Sequence, residues 1–312
     1  TLCTTPDSQP VADSPAVVRL ILDRCAEAHQ CLVLPIGALT QGLAGEQLAE
    51  MAALRDSGCI AVSQHQAPIA DNRVWLRALE YASTFDVCVF MYPLDPSLAA
   101  GGCAHDGPVA SRLGLSGIAP VAETVALARD LQLVKETGAR AHFGCISSAA
   151  SVDLIRQAKA DGLRISADVS ALHLLLSDDA LRNFDSNCHL MPPLRSESDR
   201  LALLRGLDDG TIDAICSAHQ PQDEAAKKTT FASSAPGAIG LQTLLPICGQ
   251  LVANGEMSML TLINALTLNP SRIVQRQSRI ATGFDADLCI WDPQQSSCLD
   301  QFNNKSLSNN SP

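Results

Sequence analysis

Short apolar runs and amphipathic stretches alternate along this chain with a regular beat. The apolar runs are Leu32-Val33-Leu34-Pro35-Ile36, Cys59-Ile60-Ala61-Val62-Ser63, Val87-Cys88-Val89-Phe90-Met91-Tyr92, Ala141-His142-Phe143-Gly144-Cys145-Ile146, Ile165-Ser166-Ala167-Asp168-Val169 and Ile212-Asp213-Ala214-Ile215-Cys216. Near-continuous apolar strands of this length suit a parallel sheet covered on both faces. Residues 14–29, 46–57, 73–83, 121–137 and 150–161 carry apolar positions at three- and four-residue spacing, the pattern of helices with one buried face. Strand–helix alternation repeated this often predicts βαβ units and a closed (β/α)8 TIM-type barrel, an α/β fold.

Counting the strands refines that expectation. Thr1-Leu2-Cys3-Thr4-Thr5 reads as a further strand at the start of the chain, which makes seven. Residues 1–280 are expected to form the barrel, its strands two to eight. A seven-strand barrel would expose two sheet edges, so a partial protein is the expectation. Residues 281–312 follow as a separate segment that ends in a polar, Asn/Ser-rich tail.

Composition narrows the function classes. The 312 residues are 46% hydrophobic, which is ordinary for a globular protein. A net charge of −11, from 22 basic against 33 acidic residues, leaves no basic surface to neutralise phosphates and argues against a nucleic-acid partner. The chain contains no apolar run long enough to span a bilayer and no signal peptide, so no membrane association and a cytoplasmic location are expected. Twelve cysteines occur without a CxxC pair, most of them within apolar runs, and read as buried free thiols rather than disulfides or a structural zinc site.

The segment Ile215-Cys216-Ser217-Ala218-His219-Gln220-Pro221, followed by a long loop to Ala235-Pro236-Gly237-Ala238, resembles the last barrel strand and substrate loop of dihydroorotases in the amidohydrolase superfamily. The resemblance implies catalysis at the C-terminal ends of the strands. A metal there would make hydroxide and polarise the carbonyl, and a carboxylate would move the proton. Zinc is the metal of active relatives. The family's ligands are a His-x-His on the first strand, a carboxylated Lys or an Asp on the fourth, His on the fifth and sixth, and Asp on the eighth. The family's first strand and most of its flanking small β-domain are expected to fall outside this chain, and residues 281–312 resemble a partial return to that domain, a strand over 283–292 followed by the polar tail. The other four positions fall on Gln64, Tyr92, Cys145 and Ala218.

Cys145 is a thiol and a good zinc ligand type, but Gln64, Tyr92 and Ala218 cannot complete its shell, so no bound metal or cofactor is expected. His65 stands beside Gln64, and His142 stands three residues before Cys145. Strand alternation predicts that both point to the opposite face as structural or surface residues. The relic substrate pocket is eroded too. Asp7 stands where the family's Met-Pro-Asn-Thr has its amide, and Met191 stands where an Asn precedes Pro-Pro-Leu-Arg. His219, Pro236 and Gly237 are retained. Scaffold elements persist in Pro10-Val11-Ala12-Asp13-Ser14 and in Ser111-Arg112-Leu113-Gly114-Leu115 with Pro120.

Most similar is the non-catalytic dihydroorotase-like chain that partners bacterial aspartate transcarbamoylase. That resemblance implies a structural and assembly role in de novo pyrimidine biosynthesis and a homo- and hetero-oligomer. The alternative is an active metal-dependent cyclic amidohydrolase with an atypical site built from Cys145, His173, His189 or His219. A third reading, a metal-free module that senses a pyrimidine-like ligand, meets an obstacle in Asp7 and Met191.

Overall fold

The computed structural model describes residues 1–276, 280–295, 299–300 and 303–312. Nine strands occur among them: β1 (Leu2–Thr4), β2 (Val33–Ala38), β3 (Ala61–Ser63), β4 (Cys88–Met91), β5 (Ala104–His105), β6 (Gly117–Ile118), β7 (Ala141–Phe143), β8 (Ile165–Ser170) and β9 (Ala214–Cys216). The seven expected from apolar runs are all present. The short β5–β6 pair lacks the length to register in such a pattern.

The chain divides into two compact units. The first comprises Thr1–Pro93, Ala126–Gly144 and Arg156–Ser166. In it β1, β2, β3, β4 and β7 pair in that order, all parallel, with Leu2 opposite Val33, Ile36 opposite Ala61, Val62 opposite Val89 and Phe90 opposite His142. Every residue of β2 and β3 is buried, which explains their unbroken apolar sequences. Gly37 in β2 answers to close packing: a Cβ there would lie 2.9 Å from Leu54 Cδ1. The helices Pro15–Ala28, Met51–Asp56 and Asn72–Thr84 supply the cover. Asp71 caps the last of these by accepting the Arg73 N–H at 2.8 Å.

The second unit comprises Leu94–Val125, Cys145–Ile155 and Ala167–Pro312. It holds the parallel β8–β9 pair, with Ser170 opposite Cys216, and the β5–β6 pair. A buried polar cluster braces it. The Glu123 carboxylate, 1% exposed, accepts the Ser147 and Ser148 N–H groups at 3.1 Å each and both of their hydroxyls. Arg195, 2% exposed, donates Nε–H to Ser147 Oγ at 3.0 Å and Nη1–H to the Ile118 carbonyl at 2.6 Å. Its Nη2 lies 3.9 Å from the Glu123 carboxylate.

Two expectations fail. Residues 283–292 form no strand, and Ile290 there is fully exposed. The thiols are not uniformly buried: Cys3, Cys31 and Cys289 are exposed, whereas Cys59, Cys88, Cys103, Cys188 and Cys248 are buried. Lying in an apolar run did not bury Cys3, Cys31 or Cys289.

Candidate functional site

Left-handed backbone marks the strand ends. His65, Cys145 and Ala218 have φ of 51°, 55° and 43°, each two residues beyond the end of β3, β7 and β9. A residue with a Cβ adopts this conformation at a cost of about 1–2 kcal/mol, and such strain concentrates where a fold must aim a side chain.

In the first unit, Gln64 is 1% exposed and its amide is consumed: Oε1 accepts the Thr40 hydroxyl at 2.9 Å, and Nε2 donates to the Leu43 carbonyl at 2.9 Å. Tyr92 is half-buried and packs against Gly144, where a Cβ would lie 3.2 Å from its ring. His65 corrects the expectation that it points away. Its Nε2 lies 3.5 Å from Asp7 Oδ2, and its ring meets Tyr92 edge-on with centroids 5.2 Å apart. Alternation stops at Ser63, where β3 ends, and the turn at His65 reverses the side chain. Burial holds the His65 pKa below the usual imidazole range, against the opposing pull of Asp7. His142 behaves as a structural residue, 2% exposed, with Nδ1 2.8 Å from Ser166 Oγ and its ring against Phe90.

In the second unit, Cys145 is brought to two residues that sequence reasoning missed. Its Sγ lies 3.7 Å from Cys216 Sγ, and its N–H donates to Asp168 Oδ1 at 2.8 Å. The Cys145, Asp168 and Cys216 ligand atoms all lie within 4.8 Å of one another, and all three residues are half-buried. This is the one potential metal-ligand cluster among the described residues, and it contains no histidine. Two signals were available: Asp168 is the sole charged residue of β8, and Cys216 stands two residues before Ala218.

The histidines of the atypical-site reading are engaged elsewhere. His173 accepts the Ser170 hydroxyl at Nδ1 (2.7 Å) and donates Nε2–H to the Pro192 carbonyl at 3.1 Å; burial lowers its pKa to about 4. His189 Nδ1 pairs with Ser234 Oγ at 2.9 Å. His219 Nδ1 accepts the Gly240 N–H at 3.1 Å.

The loop around His219 is closed by the tail. Asn310 Nδ2 donates to the Gln220 and Gly237 carbonyls at 2.9 and 3.0 Å, and the Ile239 N–H donates to the Asn310 carbonyl at 3.0 Å. Gly240 is required here, since a Cβ would lie 2.1 Å from the Ser217 carbonyl oxygen. A cavity of about 160 Å³ remains between His219, Leu241, Asn304 and Lys305. Pro236 is half-buried and Gly237 buried, with φ of 116° at the glycine. Met191 is half-buried and Asp7 exposed.

Zinc, the group implied by the superfamily, does not fit the residues at the expected ligand positions. The Gln64 amide is spent on two internal hydrogen bonds, Tyr92 offers a phenol, and Ala218 offers a methyl group.

Comparison with known proteins supplies the family. The "Dihydro-orotase-like" profile matches residues 1–151, and the "Amidohydrolase family" profile matches residues 109–311. A "Dihydroorotase-like protein" of Pseudomonas aeruginosa is 48% identical over 296 residues, covering 95% of this chain and 70% of the relative. A "Dihydroorotase" of Pelotomaculum thermopropionicum is 39% identical, covering 98% of this chain and 72% of the relative. Among solved structures, L-hydantoinase from Arthrobacter aurescens superposes with a TM-score of 0.75 at 20% identity, over 88% of this chain and 63% of that one. Saccharomyces cerevisiae dihydroorotase in complex with 5-fluoroorotic acid gives 0.72 at 14% identity, over 89% and 77%. The fold is therefore the barrel fold of these amidohydrolases, and the chain belongs to the dihydroorotase-like family.

Proposed function

We propose that this chain is a non-catalytic dihydroorotase homologue that acts as a structural and assembly partner of aspartate transcarbamoylase in pyrimidine biosynthesis. The observation that carries the reading is the chemistry at the four positions expected to hold metal: amide, phenol, thiol and methyl, with the Gln64 amide already committed to Thr40 and Leu43. Hydrolysis of a cyclic amide needs a metal-bound hydroxide and a carboxylate to carry the proton. Ala218 can do neither. Asp7 in the relic pocket would also repel an anionic substrate.

The framework supports a scaffold. The Glu123–Ser147–Ser148–Arg195 cluster and the Gly240 turn are costly, specific features of the barrel framework. The family membership and the more similar relatives, each named "Dihydroorotase-like protein", are in keeping with this reading. The test is co-expression with the transcarbamoylase catalytic chain followed by size-exclusion chromatography. One co-eluting assembly is expected, and two separately eluting proteins would contradict the partnership.

A further inference from the structure

We propose that Cys145, Asp168 and Cys216 form a half-exposed binding site for a thiophilic divalent cation of the zinc type, with two thiolates and one carboxylate as protein ligands. This set is not the one the superfamily uses, since Asp168 and Cys216 lie outside the expected positions. Its residues, all within the second unit, come from the turn after β7, the middle of β8 and the last residue of β9.

The geometry suits a metal held between the two thiols. Zinc–sulfur bonds of about 2.3 Å in tetrahedral geometry place two sulfurs about 3.8 Å apart. Cys145 Sγ and Cys216 Sγ are 3.7 Å apart. A disulfide would need about 2.05 Å. The Asp168 carboxylate is already oriented, because its Oδ1 accepts the Cys145 N–H at 2.8 Å. That bond fixes both the carboxylate and the left-handed turn that aims the thiol. All three residues are half-buried, so solvent and a hydrated ion can reach them while much of the site is dry.

The hydrogen bond with Cys145, burial and the Asp168 carboxylate, in that order, push the Cys216 thiol well above its ordinary range. On binding, each thiol releases its proton to solvent, and a divalent ion with two thiolates and one carboxylate leaves a net charge of −1. Sulfur ligands select zinc or cadmium and exclude magnesium and calcium. The site makes no demand on catalysis and is independent of the scaffold role.

The test is a cadmium titration of the reduced, metal-free chain, read by the thiolate-to-cadmium charge-transfer absorbance. Cys3, Cys25, Cys31, Cys289 and Cys298 are replaced by Ser in the reference protein. One cadmium per chain is expected, displaced by zinc and not by magnesium. Cys145→Ser and Cys216→Ser should each weaken binding by at least about 100-fold and remove most of the absorbance. Asp168→Asn should weaken it by about 10-fold or more while leaving the thiolate band. A second readout needs no variant: zinc should protect Cys145 and Cys216, and not Cys3 or Cys31, from alkylation mapped by mass spectrometry. Absence of binding in the reference protein, or binding that survives the Cys145→Ser, Cys216→Ser double change, would overturn the proposal. Parallel dihydroorotate turnover on the zinc-loaded chain bears on the scaffold reading alone.

Discussion

Removing the Glu123 carboxylate should be the most damaging single change to the framework of the second unit. Glu123 is 1% exposed and accepts from two backbone N–H groups and two serine hydroxyls, and it is the nearest carboxylate to the buried Arg195 guanidinium. Glu123→Ala therefore leaves a charge 2% exposed without its main counter-ion, together with two orphaned backbone donors. Breaking a buried pair by deleting one partner costs about 3–5 kcal/mol, which already approaches the whole stability of many domains. The assay is urea unfolding followed by fluorescence and circular dichroism. Glu123→Leu combined with Arg195→Met replaces the pair by apolar groups and should recover at least about 2 kcal/mol of the loss, a coupling visible in a double-mutant cycle. A loss below about 1 kcal/mol for Glu123→Ala, or strict additivity in the cycle, would refute the claim that this cluster braces the second unit.

Three further outcomes follow from the geometry. His173 is neutral in the fold, its pKa lowered by burial from 6.5 to about 4, so the unfolded chain binds its proton first as pH falls. Stability from this residue is present above pH 6.5 and is lost on the way down to 4, by about 3 kcal/mol in all. In urea unfolding, the gap between wild type and His173→Gln should shrink over that window; a gap constant with pH would contradict the assignment. Gly240→Ala drives a methyl group to 2.1 Å from the Ser217 carbonyl oxygen and should cost about 1–3 kcal/mol in thermal unfolding, whereas an unchanged melting temperature would mean the loop is not so constrained. Ala218→Asp alone should produce no dihydroorotate turnover in a steady-state assay, because Gln64 and Tyr92 still deny the metal its shell; measurable turnover would refute that explanation.

The barrel strands were legible because burial on both faces writes itself as unbroken apolar runs, as in Val33–Ala38 and Cys88–Met91. The helix expected over 46–57 shrinks to Met51–Asp56, since backbone groups before it go to tertiary partners: the Gln47 carbonyl accepts from Gln41 and the Ala49 N–H donates to Leu39. Residues 283–292 resemble a strand of the family, but a strand needs a neighbour to bond to, and the segment has none among the described residues. At the site, Gln64, Tyr92, Cys145 and Ala218 could be picked out by motif. Their surroundings could not. His65 was misplaced because alternation was extended past the end of β3 into a left-handed turn. The trio with Asp168 and Cys216 escaped because it joins residues 23 and 71 positions from Cys145, a proximity that strand register creates and no local pattern announces.

The central claim, that the barrel is kept while its chemistry is gone, is tested most directly by dihydroorotate–carbamoyl aspartate interconversion. The purified chain would be supplied with zinc and assayed alone and together with aspartate transcarbamoylase. The account predicts a rate no higher than that of buffer with zinc in both states. Zinc-dependent turnover that disappears with Cys145→Ser and Cys216→Ser would contradict it.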